Sequence, residues 1–464
     1  MANKLFGTDG IRGIANTELP PELAFRLGFA LGRFLAGGQA HPRFVIGRDT
    51  RRSGTMLQAA LVAGITAAGG DALLAGVVPT PAVAFLVTEL QASGGVVISA
   101  SHNPPEYNGL KVFSGEGFKL PDALEARIED FLLSDDAWPG VSGGDASLLD
   151  ARMTGSAIGR EHEISGAAER YVAHDTEVFT RTGSMRPLEG LRIAVDCGHG
   201  ASYLTTPTAF TCLGAQVTAI NAEFSGDDIN VGCGSTHLEP LVELMRQGDF
   251  DLGVAHDGDA DRLLAVDEQG TALDGDQIMA LCAADLHERG ELTGDTVVAT
   301  VMSNLGFEKA LEARGIGLRK AGVGDRYVLE EMRACGAVMG GEQSGHIIFL
   351  QHNTTGDGLL TALALAHIVA ASDRPLSQLA SEAMRRYPQE LVNVQVTDKG
   401  ALDGHEIIEA AVAAAEADLQ GQGRVLLRAS GTEPLVRVMV EAADAQVARE
   451  VCERLAAVVE QELS

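Results

Sequence analysis

The sequence predicts an α/β protein: three similar α/β domains on mixed or parallel sheets, then a C-terminal α+β domain. Three observations carry this. Short β-rich runs alternate with amphipathic helical stretches from about residue 44 to 370, as in sheets covered by helices. Beyond residue 378 the pattern becomes two strands and one long helix. The chain has 464 residues, whereas single cores stop growing at about 250–300 residues.

The elements follow in order. FVIGRD (44–49) reads as a buried strand, and Gly54 to Gly69 as a helix with Leu57, Leu61, Ile65 and Ala68 on one stripe. DALLAGVV (71–78) and GGVVISA (94–100) read as strands around a helix from Thr80 to Leu90. The pattern recurs in LRIAVDC (191–197), a helix near 202–213 and AQVTAI (215–220). It recurs again in DLGVAHD (251–257), TVVATV (296–301), a helix near 305–313 and CGAVMGG (335–341). GRVLLRAS (423–430) and LVRVMVEA (435–442) read as a strand pair. The stretch 443–463 reads as a helix with Val447, Val451, Leu455 and Val459 at helical spacing. SDDAWPGVSGGDAS (134–147) and ASDRPLSQ (371–378) read as linkers. The long middle fits two sheet units better than one, so the expected domains are 1–147, 155–253, 254–371 and 378–464.

Composition removes several function classes. Lys plus Arg is 35 and Asp plus Glu is 64, a formal net charge of −29, which argues against nucleic-acid or anionic-membrane partners. A small anion remains open, because it feels the local field. Aromatics are 5% with a single Trp138, too few for a stacking platform. Six cysteines without a C-x-x-C pair suit a reducing cytoplasm better than a disulfide or zinc scaffold. The start MANKLFGTDG has no apolar leader, and no run approaches the ~18 apolar residues of a membrane span.

Four segments carry chemistry. In AHDGDADRLLAVDE (255–268), Asp257, Asp259 and Asp261 stand two apart in a Gly/Ala loop, so their carboxylates can converge on a hard divalent cation. An EF-hand, with Glu268 at the twelfth position, fails because Arg262 stands where that loop needs Gly and the flanks read as strands. In VVISASHNPPEYNGLKVF (96–113) a strand runs into Ser101 and His102. Pro104 and Pro105 fix the loop, and a hydroxyl at a strand end suits covalent work, although a Ser capping a turn is the favoured reading from these residues alone. In LLRASGTEPLVRVMVE (426–441), Arg428, Ser430, Gly431, Thr432 and Arg437 gather the donors a phosphate takes, although a polar hairpin reads as readily from these residues alone. In GGEQSGHI (340–347), Glu342, Ser344 and His346 alternate, which places them on one side of an extended segment and suits sugar hydroxyls, or equally an edge strand with a polar face. No P-loop and no complete G-x-G-x-x-G occurs.

Together FGTDGIRG (6–13), SASHNP (99–104), DGDADR (257–262), GEQSGH (341–346) and RASGTEP (428–434), in this order, resemble the α-D-phosphohexomutases over essentially the whole chain. The resemblance implies four domains in a heart-shaped arrangement around a central cleft, and a ping-pong phosphoryl exchange. Ser101 is then a phosphoserine, and Asp257, Asp259 and Asp261 hold one Mg²⁺ per active site against it. Arg12, His102, Lys111 and Arg262 are expected to flank the phosphate. Lys111 or His346 is the general acid/base, with Lys111 favoured. Glu342 and Ser344 read the sugar, and the 428–437 loop takes the non-reacting phosphate. Gln343, INVGCGSTHLE (229–239), VGDRYVLEEM (323–332) and NTTGDG (353–358) resemble the amino-sugar branch. That branch implies glucosamine 6-phosphate as substrate, glucosamine 1,6-bisphosphate as intermediate, and a product feeding amino-sugar nucleotide and cell-wall precursor synthesis. Glucose or mannose phosphate is the alternative sugar, and a non-enzymatic calcium module on 257–268 the distant one. Gly322 stands where some relatives carry a basic residue. The expected protein is cytoplasmic, a monomer or homodimer, with a small phosphosugar as its partner.

Overall fold

In the computed structural model of the protein, residues 5–7, 9–134, 152–181, 183–402, 404–430 and 434–464 are described. They form four sheets. The first has seven strands in the order Phe6–Gly7, Gly10–Ile14, Tyr107–Ser114, Gly94–Ile98, Arg43–Arg48, Asp71–Val77 and Glu161–Glu163. Arg43–Arg48 lies parallel to both Asp71–Val77 and Gly94–Ile98, whereas Tyr107–Ser114 runs antiparallel to Gly94–Ile98. The SASHNPP segment is therefore the turn of a hairpin. Phe44, Ile46, Val96, Ile98 and Leu110 bury one face of the sheet against Leu57, Leu61 and Ile65 of the helix Gly54–Ala67, the stripe the spacing predicts. The sheet also takes in Glu161–Glu163, paired with Ala72–Leu74, so the stretch beginning at 155 does not open a second domain. The expected linker at 134–147, with Trp138, lies outside the described residues apart from Ser134.

The second sheet has the order Ala272–Leu273, Leu263–Val266, Leu252–His256, Arg192–Asp196 and Gln216–Ile220. A boundary at 253/254 fails, because Leu252–His256 is the sheet's middle strand and is buried along its length. The carboxylate loop is a hairpin turn of this sheet. The third sheet, in the order Gly317–Ala321, Thr296–Thr300, Met339–Gly341 and Ile347–Phe349, starts its third strand later than CGAVMGG suggests. Val328, Leu329 and Met332 keep Asp325–Cys335 helical through Cys335, and Gly336, at φ 76°, ends that helix. The predicted linker 371–378 is instead a sharp break between the helices Gly358–Ser372 and Leu376–Ala383, with Asp373 at φ 52° and Leu376 fully buried.

The chain divides into two compact units, residues 1–301 with 319–380, and 302–318 with 381–464. The second contains the antiparallel sheet Gln389–Gln395, Leu435–Ala442, Gly423–Ala429. The helix Leu305–Glu312 joins it because Leu305 N–H and Asn304 Nδ2 donate to the buried Glu441 carboxylate, at 2.8 and 3.2 Å. In the closing helix Ala445–Leu463, Val447 is exposed, contrary to its expected place. Val451, Leu455 and Val459 are buried as the spacing predicts, and Ala448 and Cys452 complete the stripe. All six cysteines are free, and no single described helix is long and apolar enough to cross a membrane.

Candidate active site

The hairpin turn after Gly94–Ile98 carries Ser101 in a fully buried position with φ 52°, a conformation that disfavours side chains other than glycine. Ser101 N–H donates to Ser99 Oγ at 2.9 Å, and Ser101 Oγ donates to Asp257 Oδ2 at 2.5 Å. This close approach requires Gly258: a Cβ there would lie 2.6 Å from the Ser101 carbonyl oxygen. His102, next in the chain, is exposed. Its Nδ1 lies 3.4 Å from Ser101 Oγ. Partial enclosure, with the Arg262 and Arg12 guanidiniums, pushes its imidazole down to about 4.

Asp257, Asp259 and Asp261 are buried, and one oxygen of each lies within 4.8 Å of the others. Lys111, on Tyr107–Ser114, reaches Asp259 Oδ2 at 2.8 Å and Asp261 Oδ2 at 3.0 Å, and Asp9 Oδ2 at 3.0 Å. Burial opposes the Lys111 charge, but Asp259, Asp261 and Asp9 outweigh it and raise its pKa well above the ordinary value. Burial and the two neighbouring carboxylates push Asp257 well up. Asp261 is equally buried, yet Lys111, His346 and Arg262 hold it well down. Asp259 Oδ1 and Asp261 Oδ1 are buried without a hydrogen-bond partner. Hard oxygen donors left open beside a serine hydroxyl fit Mg²⁺.

Arg12, on Gly10–Ile14, donates from Nη1 to Asn103 Oδ1 at 3.3 Å and also pairs with Asp9. Arg262 ends the carboxylate loop with its backbone N–H 3.3 Å from Asp257 Oδ1, and it forms an isolated antiparallel bridge with His346. The segment 341–346 is not extended, so the alternation argument fails. Gly345, at φ 93° and tight against Leu263 O, turns the chain, leaving Ser344 exposed, Glu342 half-buried and His346 buried. Glu342 Oε1 accepts from Gly324 N–H at 3.1 Å, and Gln343 Nε2 lies 3.4 Å from Asp274 Oδ2. His346 Nε2 accepts from Gly356 N–H at 3.2 Å, while its buried Nδ1 has no partner. Sequence reasoning missed Asp9, Lys119, Asp325 and Thr80. Lys119 is ion-paired with Asp9 and Asp325, Asp325 Oδ2 lies 3.6 Å from His346 Nε2, and Thr80 Oγ1 donates to Asp259 Oδ2. Asp9 and Asp325 stand inside FGTDGIRG and VGDRYV, where a charge flanked by glycine was the available signal.

In the C-terminal unit Arg428 and Arg437 face each other across adjacent antiparallel strands. Burial and the Arg437 charge lower the Arg428 pKa, and Arg437 Nε is buried without a partner. Like charges directly opposite repel, and an oxyanion placed on both relieves this. Ser430 is buried, and its carbonyl accepts from Lys399 Nζ at 2.6 Å. Gly431 and Thr432 lie outside the described residues.

The chain matches the phosphoglucomutase/phosphomannomutase family in four pieces: alpha/beta/alpha domain I over residues 3–137, domain II over 169–270, domain III over 274–387 and the C-terminal domain over 391–458. It is 52% identical to the phosphoglucosamine mutase of Symbiobacterium thermophilum, covering 99% of both chains. It is 53% identical to that of Moorella thermoacetica, covering 95% of this chain and 96% of the relative. Among solved structures, a Burkholderia thailandensis phosphoglucomutase/phosphomannomutase family protein superposes with TM-score 0.80 at 23% identity, over 100% of this chain and 99% of that one. An Aspergillus fumigatus N-acetylphosphoglucosamine mutase in complex with GlcNAc-6P and magnesium superposes with TM-score 0.66 at 19% identity, over 99% of this chain and 96% of that one.

Proposed function

The chain belongs to the phosphoglucomutase/phosphomannomutase family, the α-D-phosphohexomutases, and from that membership we propose that it interconverts glucosamine 6-phosphate and glucosamine 1-phosphate. It is an isomerase with phosphoglucosamine mutase activity. The observation that carries the chemistry is Ser101 Oγ, 2.5 Å from Asp257 in a buried cluster of carboxylates that Lys111 only partly neutralises.

The reaction runs in two transfers. The P–Oγ bond of phospho-Ser101 breaks as a bond forms to the sugar's free 1-hydroxyl, giving glucosamine 1,6-bisphosphate. The bisphosphate turns round, and its 6-phosphoryl group passes to Ser101 Oγ, leaving glucosamine 1-phosphate. The proton released by the 1-hydroxyl is matched by the one the 6-oxygen regains. Phosphoryl transfer is mostly positioning and charge neutralisation. Asp257, Asp259 and Asp261, with Ser101, would hold one Mg²⁺, which supplies neutralisation of the transferring group; the magnesium in the Aspergillus relative supports this. Lys111, locked between carboxylates, serves as a fixed positive charge, and the unpartnered Nδ1 makes His346 the better proton-moving group. Arg12, His102 and Arg262 line the phosphoryl position, while Glu342 and Ser344 meet the sugar hydroxyls.

Arg428 and Arg437, with Ser430, Gly431 and Thr432, take the non-reacting phosphate. Arg428→Met therefore raises KM about tenfold or more, since a hydrogen bond to a charged group contributes about 1.5–3 kcal/mol. The same change leaves the free protein as stable or slightly more stable, because it removes a like-charge pair. Initial rates together with a thermal melt check both halves.

We propose four domains, with the second ending after Leu273 where its sheet ends, and a cytoplasmic location that keeps six thiols reduced. The sugar is tested on one preparation by comparing kcat/KM for the phosphates of glucosamine, glucose and mannose. The expected preference for glucosamine is at least about tenfold, the scale of one well-placed polar contact. Equal or higher values for glucose or mannose phosphate overturn the assignment of the sugar and leave the chemistry standing.

A further inference from the structure

Ser101 holds its left-handed backbone conformation against a cost of about 1 kcal/mol or more, so something must hold it there. Its carbonyl oxygen accepts two hydrogen bonds, from Arg51 Nη2 at 3.0 Å and Asn230 Nδ2 at 2.8 Å. The same two nitrogens also hold the Asn103 carbonyl oxygen, at 2.8 and 3.1 Å. Arg51 is almost wholly buried. Its Nη1 holds the Tyr107 carbonyl at 3.0 Å and also that of Pro104, and its Nε donates to Asp49 Oδ2 at 2.8 Å. The five guanidinium hydrogens thus have five acceptors in a fixed fork, which the point charge of a lysine cannot reproduce. Asp49 Oδ2 also accepts from Ser99 Oγ at 2.6 Å, and that hydroxyl accepts from Ser101 N–H. Both peptide groups of Ser101 are therefore tied, directly or through one hydroxyl, to the Asp49–Arg51 ion pair.

Asn230 approaches from a different segment. It belongs to INVGCG, is 6% exposed, takes φ 61°, and is anchored through its own N–H to Gly198 O at 3.0 Å beside the second sheet. One clamp arm thus comes from the strand end that follows Arg43–Arg48, and the other from the neighbourhood of the carboxylate loop.

We propose that Arg51 and Asn230 are positioning residues for phosphoryl transfer: together they grip the Ser101 and Asn103 carbonyls and so fix the direction of Ser101 Oγ. Neither touches the reacting atoms. The need is mechanical. Ser101 gives a phosphoryl group to one end of the sugar and takes it back from the other, and each transfer must be in line. A displacement of 1 Å costs about 100-fold in rate. Asn103, held by the same clamp, in turn receives Arg12.

The inference rests on Ser101 as the phosphoryl carrier. The test compares wild type, Ser101→Ala, Asn230→Ala, Asn230→Asp and Arg51→Lys, measuring glucosamine 6-phosphate turnover, thermal unfolding and intact mass. Asn230→Ala and Arg51→Lys are expected to lower kcat about 100-fold with KM little changed. Asn230→Asp keeps the shape but turns a donor into an acceptor, and falls further than Asn230→Ala. Wild-type kcat in folded Asn230→Ala overturns the clamp, as does a loss confined to KM or a loss that only tracks the unfolded fraction. If Arg51→Lys does not fold, the two Asn230 variants decide. Activity that survives Ser101→Ala overturns the phosphoserine reading instead, so the two failures are distinguishable.

Discussion

Ser101→Ala is expected to lower turnover of glucosamine 6-phosphate by at least about 10³-fold, the scale seen when a covalent nucleophile is removed. In the reaction proposed above, Ser101 Oγ carries the phosphoryl group between the two ends of the sugar. Asp257 stands closest, but its oxygen is the acceptor of the Ser101 hydroxyl and one of the donors offered to a cation. Truncation also deprives that buried oxygen of its hydrogen bond, which costs about 1–3 kcal/mol of stability. A melt must therefore accompany the rate measurement. Intact mass supplies the second readout: a wild-type fraction heavier by one phosphate that vanishes in the variant. A folded Ser101→Ala protein turning over near the wild-type rate sinks the covalent mechanism.

What the sequence disclosed and what it hid follow from how each residue reaches the site. Ser101, Asp257, Asp259 and Asp261 sit in short contiguous turns between strands, where spacing alone brings carboxylates together and places a hydroxyl at a strand end. Lys119, Asp325, Thr80, Arg51 and Asn230 reach their partners across gaps of 50 to 206 residues. No local pattern encodes such contacts, and a buried arginine reads in a sequence like any solvated one. GEQSGH misled for a different reason. Alternation assumes an extended chain, and Gly345 turns it. The boundary at 253/254 failed because Leu252–His256 and Leu263–Val266 form one hairpin whose turn is the carboxylate loop. A polar loop at the surface of a domain and a polar loop at its catalytic centre have the same composition. Lys111 shares a contiguous segment with Ser101, but its ion pairs with Asp9, Asp259 and Asp261 join residues far apart in the sequence.

Lys111→Met carries the second large effect. Lys111 is 1% exposed and is paired with Asp9, Asp259 and Asp261 at 2.8–3.0 Å. Removing one partner of a buried ion pair destabilises by about 3–5 kcal/mol, because the remaining charges stay buried without compensation. Methionine fills much of the lost volume, so the loss reports charge more than packing. In chelator the variant therefore unfolds at a clearly lower temperature than wild type. Magnesium acts differently on the two proteins. Wild type already has the Lys111 ammonium on both Asp259 and Asp261, whereas in the variant the metal takes its place, with Arg262 Nε 3.9 Å from Asp261. It binds the folded variant more strongly and recovers more stability, up to about 2.7 kcal/mol when free metal reaches 100 times Kd. The unfolding temperature should thus rise more with magnesium in Lys111→Met than in wild type. Activity should not follow it back, because a fixed positive charge beside the transferring phosphoryl group contributes on the order of 10²–10³ in kcat. A variant as stable as wild type in chelator would show the ion pairs to be worth little. Recovery of both stability and kcat by magnesium would make Lys111 a stand-in for the metal, with no part of its own in the transfer.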